Sequence, residues 1–205
     1  MDPSALVVIV IVAIAAFGGF WALSQSQKRQ AAWRTLADQL GLQQAGDTLH
    51  GDYEGLPVRI AMETRQAWRG YTQFCVVRVE VPGELPPGFV AAPRSWTSGL
   101  DRVLADNLLS VTDSALKECY VFQSDQPQKG QVLIDEPEVQ RALLELYSPL
   151  RVGFVEKNRV NVAYKSWLIS AEEARGALKD VVHAAQTLAA AHARLGPSST
   201  PLPTS

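Results

Sequence analysis

Residues that bind metals or form disulfides are scarce in this chain. Only two cysteines and three histidines occur among its 205 residues. Cys75 and Cys119 are not a CxxC pair and have no metal-ligand spacing, so no zinc site is predicted. Each lies in an apolar stretch typical of a β-strand, which favours two small core residues. A disulfide between them would require an oxidising compartment.

Cofactor motifs are also missing. His183 and His192 are nine residues apart, half a turn out of phase on a straight helix, and the only other histidine is His50. No HExxH, GxxxxGK[ST] or GxGxxG pattern occurs. The sequence therefore predicts neither a metal nor a cofactor.

The chain also lacks a large excess of either positive or negative residues, since its formal net charge is only −2. A nucleic-acid-binding domain normally shows a basic excess, so we expect no nucleic-acid partner. Ser114 and Lys117 match S-x-x-K, but the SDN and KTG elements that accompany it in serine acyl-enzymes are missing. No other catalytic combination is present, and we predict that the protein is not an enzyme.

The first 27 residues lack charge almost entirely. Ala5 to Leu23 is a run of 19 apolar or glycine residues. As a helix it would be roughly 29 Å long, close to the bilayer's hydrocarbon thickness of about 30 Å. A cleaved signal peptide would have a positive start and a shorter apolar core. We therefore predict an uncleaved transmembrane anchor over residues 1–27, in contact with the lipid bilayer from Ala5 to Leu23.

Positive charge follows this segment and does not precede it. Lys28, Arg29 and Arg34 lie just beyond it. The positive-inside rule then places the C-terminal side in the cytoplasm. The expected localisation is the membrane, in a single pass, with a cytoplasmic domain.

The periodicity of residues 28–195 predicts one soluble domain, followed by a disordered tail over 196–205. Four helices are expected. Two of them span Lys28 to Leu40 and Gly99 to Leu109. The other two begin with capping boxes: a helix that starts at Asp135 with Glu138, and a long helix that starts at Ser170 with Glu173 and ends near Ala193. Two hairpins are predicted: Leu49 to Tyr53 with Val58 to Met62, and Leu150 to Tyr164 with its turn at Lys157-Asn158. Phe74 to Val81 and Tyr120 to Gln123 are predicted to be further strands. Pro82 to Pro93 is predicted to be a surface connection, and Gly51, Gly55 and Gly70 are predicted to lie in turns.

These elements define an α+β fold. An N-terminal transmembrane helix would precede an antiparallel sheet, with helices packed on one face and a long C-terminal helix. Leu178, Val182 and Leu188 are predicted to be buried. Strand order does not follow from the pattern.

An aromatic segment between two predicted strands is the one surface feature that suggests binding. Trp68, Arg69 and Tyr71 lie where a loop is normally polar. They form either an interaction hot spot, a segment that dips into lipid headgroups, or a cover for the core.

The chain resembles bacterial single-pass membrane-anchored proteins of unknown function. After the apolar segment comes W-x-x-L-A-x-x-L-G-L (Trp33 to Leu42), and then G-x-Y-x-G-x-x-V (Gly51 to Val58). The resemblance implies no activity and no catalytic residues.

The expected function is a membrane-tethered, non-enzymatic interaction module with a protein partner. The alternative is a domain that binds a small ligand or lipid in a cavity between the sheet and the C-terminal helix. A deep apolar pocket would favour the alternative.

Overall fold

The computed structural model describes residues 27–67, 70–96 and 107–195, which form an α+β fold. The strands are β1 (Gln43–Ala45), β2 (Thr48–Tyr53), β3 (Leu56–Ala67), β4 (Gly70–Glu80), β5 (Val90–Pro93), β6 (Tyr120–Gln123), β7 (Arg151–Glu156) and β8 (Arg159–Tyr164). The helices are α1 (27–40), α2 (Ser114–Cys119), α3 (Pro127–Asp135), α4 (Pro137–Glu145) and α5 (Ala171–Arg194), with a 3₁₀ turn at Arg94–Trp96.

None of the helices in these ranges combines the length and apolar character needed to cross a bilayer. The predicted anchor, Ala5 to Leu23, lies outside the described residues, as does the tail from residue 196.

All eight strands join one antiparallel sheet in the order β1-β2-β3-β4-β8-β7-β5-β6. The first four strands are successive hairpins. β8 then pairs with β4, so the C-terminal hairpin joins the N-terminal strands to the β5–β6 pair. The antiparallel sheet was predicted, whereas β1 was missed because a three-residue strand has too little alternation to detect.

Two tight turns were located correctly from sequence. Glu54 and Gly55 connect β2 to β3 with φ of 52° and 80°, and Lys157 and Asn158 connect β7 to β8 with φ of 51° and 60°. Positive φ at both central residues is the type I′ geometry that matches the twist of a hairpin. Asn158 also holds the loop after β4, because its amide donates to the carbonyls of Val81 and Gly83.

Alternate residues of the central strands point to opposite faces of the sheet. On β4, Val77 and Val79 belong to the main core, whereas Val76 belongs to a small cluster on the other face. The main core also contains buried residues from each of the five described α-helices. The helices therefore share one face of the sheet.

The long C-terminal helix was predicted closely. Ser170 Oγ accepts from the Glu173 amide while the Glu173 carboxylate accepts from the Ser170 amide, which is the complete capping box. Its apolar stripe packs on β4 and β8, and Leu178, Val182 and Leu188 are fully buried as expected.

Helix α1 is part of the domain core and not a free linker. Trp33, Leu36 and Ala37 are buried in the main core. The helix ends at Gly41, whose φ of +68° suits a residue without Cβ. The Arg175 guanidinium of α5 donates to the carbonyl of Gln39 and fixes this end of α1.

The predicted surface connection Pro82 to Pro93 is wrong at its end, because Val90–Pro93 forms β5. Ala91 is fully buried and pairs with Val155. The prediction was wrong because it treated proline as incompatible with a strand. Pro93 is the last residue of β5, where the missing N–H donor destabilises the sheet little.

The predicted capping box at Asp135 is also wrong. Asp135 ends α3, and α4 begins at Pro137 with Glu136 as an N-cap whose side chain makes no capping hydrogen bond. Proline suits the first helical position because its missing N–H would be unpaired there.

Two further expectations differ from the structure. The described part of the predicted helix Gly99 to Leu109, residues 107–109, is not helical, and the rest lies outside the described residues. Gly51 is not a turn glycine: it lies within β2, where a Cβ would be 2.8 Å from Leu42 Cδ2. The close approach of Leu42, which follows α1, leaves no room for a larger side chain at position 51.

The packing of α5 predicts a large effect of truncating one residue. Leu178→Ala in a fragment of residues 28–205 should lower the free energy of unfolding by about 2–5 kcal/mol, since a buried leucine is replaced by a cavity. Urea denaturation measures this value. Lys179→Ala, at an exposed neighbour on the same helix, is the control and should change it by less than about 0.5 kcal/mol. Equal effects would contradict the packing of α5.

Candidate functional site

Strands β3 and β4 continue beyond both of their neighbours and form a two-stranded arm. In the described part of the chain, β2 pairs with β3 only as far as Ala61, and β8 pairs with β4 only from Cys75 onward. The arm, residues 62–67 and 70–74, then continues through the pairs Glu63↔Phe74 to Ala67↔Gly70. Five such pairs extend it by roughly 17 Å.

The base of the arm is held by a polar network on the sheet face opposite the helices. Arg78 donates from Nη2 to Glu63 Oε1 at 2.7 Å and from Nε to Asn161 Oδ1 at 2.6 Å. Asn161 is fully buried and donates to the carbonyls of Phe154 and Arg159. Because Glu63 belongs to the arm and Asn161 to β8, the network ties the arm to the sheet.

An aromatic cluster supports the same region. Trp96 lies between the rings of Phe74 and Phe154, with centroid separations of 6.0 Å and 4.9 Å. Phe74 is the last residue of the arm before β4 enters the main sheet. Edge-to-face and tilted contacts at these distances add stability beyond the buried area.

Tyr71 is the predicted interaction residue that the structure describes, and it lies near the end of the arm. Its side chain is 78% exposed. Trp68 and Arg69 lie outside the described residues. The sequence missed the arm itself, because strand length beyond the neighbouring strands depends on pairing that only the fold reveals.

The other candidate residues do not assemble into a reactive site in the described ranges. No group of three or more histidine, cysteine or acidic side chains there could hold a metal ion. His183 is exposed on α5, and His192 is half-buried. Burial and the nearby Lys129 ammonium lower the pKa of His192. Ser114 and Lys117 are both exposed on the short helix α2.

Several groups with shifted pKa values lie in the packed interface between α5 and the sheet. Arg151 pairs with Asp180 of α5, and the Tyr164 hydroxyl donates to the carbonyl of Glu173. Burial raises the pKa of Cys75 to about 12, and the nearby Glu173 carboxylate acts in the same direction. A thiol with so high a pKa is a poor nucleophile, so this cluster fits a structural role.

The interface between α5 and the sheet is also where the alternative function requires a cavity. Val77 and Val162 of the sheet belong to the same core as Leu178 and Val182 of α5, and all four side chains are fully buried. Apolar side chains therefore occupy this layer.

Comparison of the chain with protein-family models, with curated proteins and with solved structures gave no match.

The two thiols predict different labelling behaviour. Both are free, but Cys75 is fully buried while Cys119 is partly exposed. In the folded chain, maleimide should label Cys119 and spare Cys75 until denaturant is added. The reaction of Cys119 should accelerate as pH rises, because burial raises its pKa and the thiolate is the reactive form. Mass spectrometry measures each site; rapid labelling of Cys75 in the native state would contradict the packing around it.

Proposed function

We propose that the protein is a membrane-tethered, non-enzymatic interaction module that binds a protein partner through the arm. The segment Ala5 to Leu23 holds the chain in the bilayer, and the domain lies on the cytoplasmic side. The arm extends past its neighbouring strands and carries Tyr71, 78% exposed, and this observation supports the proposal. Tyrosine is enriched among residues that dominate binding energy because a rigid ring loses little entropy on contact.

Two further observations favour recognition by the arm. Its base is held by the Arg78 network and by the Trp96 cluster, so binding would not require the arm to fold first. A preformed surface loses less conformational entropy on association than a disordered segment does. Its outer edges in the described ranges also carry strand backbone, which suits pairing with an extended segment of a partner.

Site-specific photo-crosslinking tests the arm. A photoreactive amino acid at Gln73, an exposed arm position, should form a discrete protein adduct in intact cells. Tyr71→Ser in the same chain should abolish that adduct, because the binding side chain is lost while the β-strand persists. A photoreactive residue at Leu108, which is 48% exposed near β6, is the control and should not form it.

The crosslinking result has clear contrary outcomes. Lipid adducts alone at Gln73 would assign the arm to the membrane and not to a protein. An adduct that survives Tyr71→Ser would contradict the role of that ring.

A separate measurement tests the tether. The full chain should stay in the membrane pellet after an alkaline carbonate wash, whereas a fragment beginning at Lys28 should be soluble without detergent. The physical reason is the 19-residue apolar run, which a bilayer solvates and water does not. A mature chain that begins at Gln25, or a full chain released by carbonate, would contradict the tether.

A further inference from the structure

Two large apolar side chains are exposed at one end of the sheet. β7 begins at Arg151 and β8 ends at Tyr164, and these two residues are paired. Leu150 directly precedes Arg151 and Lys165 directly follows Tyr164, so both lie just beyond the same end of the strands. Leu150 is 77% exposed, and Trp167, two residues after Lys165, is 40% exposed.

Helix α1 reaches the same end of the domain. The Arg29 guanidinium lies over the Trp167 ring, 5.7 Å from its centroid. The opposite end of α1 contacts Arg175 through Gln39, about 15 Å further along the helix axis. Helix α1 therefore begins beside Trp167.

We propose that this end of the domain, defined by Leu150, Lys165, Trp167 and Arg29 and named the tether-side end, contacts the lipid surface. Trp167 and Leu150 enter the headgroup region of the bilayer that holds Ala5 to Leu23. The proposal rests on the membrane tether proposed above. The occupant is lipid because only four residues separate Leu23 from Lys28, so even a fully extended connection holds the start of the domain within about 18 Å of the bilayer.

The chemistry of the surface suits an interface with zwitterionic lipid. Tryptophan favours the boundary because its ring is apolar while its N–H finds water or a headgroup. Arg29 and Lys165 lie where phosphate groups would be. Glu172 and Glu173, in the first turn of α5, offset these charges, so the contact depends on apolar insertion more than on anionic lipid.

This contact would also orient the arm. β4 leaves its pairing with β8 at Cys75↔Tyr164, beside the tether-side end. The arm therefore leaves the domain at the end that is proposed to face the bilayer.

Fluorescence quenching in vesicles tests the proposal. The full chain, with Cys119→Ser and Leu150→Cys, is labelled with a polarity-sensitive fluorophore; Cys75 stays unlabelled because it is buried. The labelled chain is reconstituted into phosphatidylcholine vesicles that contain a headgroup spin label. The probe at position 150 should be quenched severalfold more than a probe at Glu84→Cys.

Glu84 is a matched control because it is exposed and lies beside the Lys157-Asn158 turn, at the opposite end of β7 and β8. Six strand residues separate the two ends by roughly 20 Å. Trp167→Ser should reduce the quenching at position 150 toward the Glu84 value, and Trp167→Phe should restore most of it.

The outcomes separate the two proposals. Equal quenching at positions 150 and 84, with the chain still in the vesicle fraction, overturns the lipid contact and leaves the tether intact. A chain that does not fractionate with vesicles overturns both. If Trp167→Ser leaves the quenching at position 150 unchanged, Trp167 does not contribute to the lipid contact, and the proposed surface is wrong.

Discussion

The burial of Trp33 is the interaction on which the geometry of this protein depends. A tryptophan buries about 150–250 Å², worth roughly 4–6 kcal/mol of apolar transfer. Its indole N–H has no hydrogen-bond partner in the described structure, which costs about 1–3 kcal/mol. Apolar burial therefore outweighs the lost hydrogen bond, and α1 packs as a core helix. With Gln39 held by Arg175, both the path of the chain into the domain and the end at which it enters are fixed.

A fixed entry end changes what an exposed side chain can do. If a flexible linker joined the domain to its anchor, Leu150 and Trp167 would be two unrelated apolar residues of the kind found on most protein surfaces. Beside the start of α1, they lie where a bilayer would be if Ala5 to Leu23 spans it. The same constraint gives the arm a defined direction, which a long linker would randomise.

The sequence predicted the elements whose signals are local. The capping box of Ser170 and Glu173, the turn at Lys157-Asn158 and the end of the first helix at Leu40 each depend on a few neighbouring residues, and each is present. The errors concern features set by distant contacts. β5 is stabilised by pairing with β6 and β7, and Asp135 lost its expected role because Pro137 begins the next helix. For the candidate site, the sequence identified Tyr71 but not the arm or its Arg78 network, since Glu63, Arg78 and Asn161 are joined only by strand pairing.

A distance distribution shows whether α1 is a rigid part of the domain. Spin labels at Gln30→Cys on α1 and Lys179→Cys on α5, both exposed positions, are introduced with Cys119→Ser in the full chain in vesicles. Pulsed electron paramagnetic resonance then reports their separation. If α1 is packed rigidly on the core, the distribution should be narrow and should broaden when Trp33→Ala removes the buried ring. A broad distribution in the chain with Trp33 intact would show that α1 moves independently of the core, which would contradict a fixed entry end for the chain.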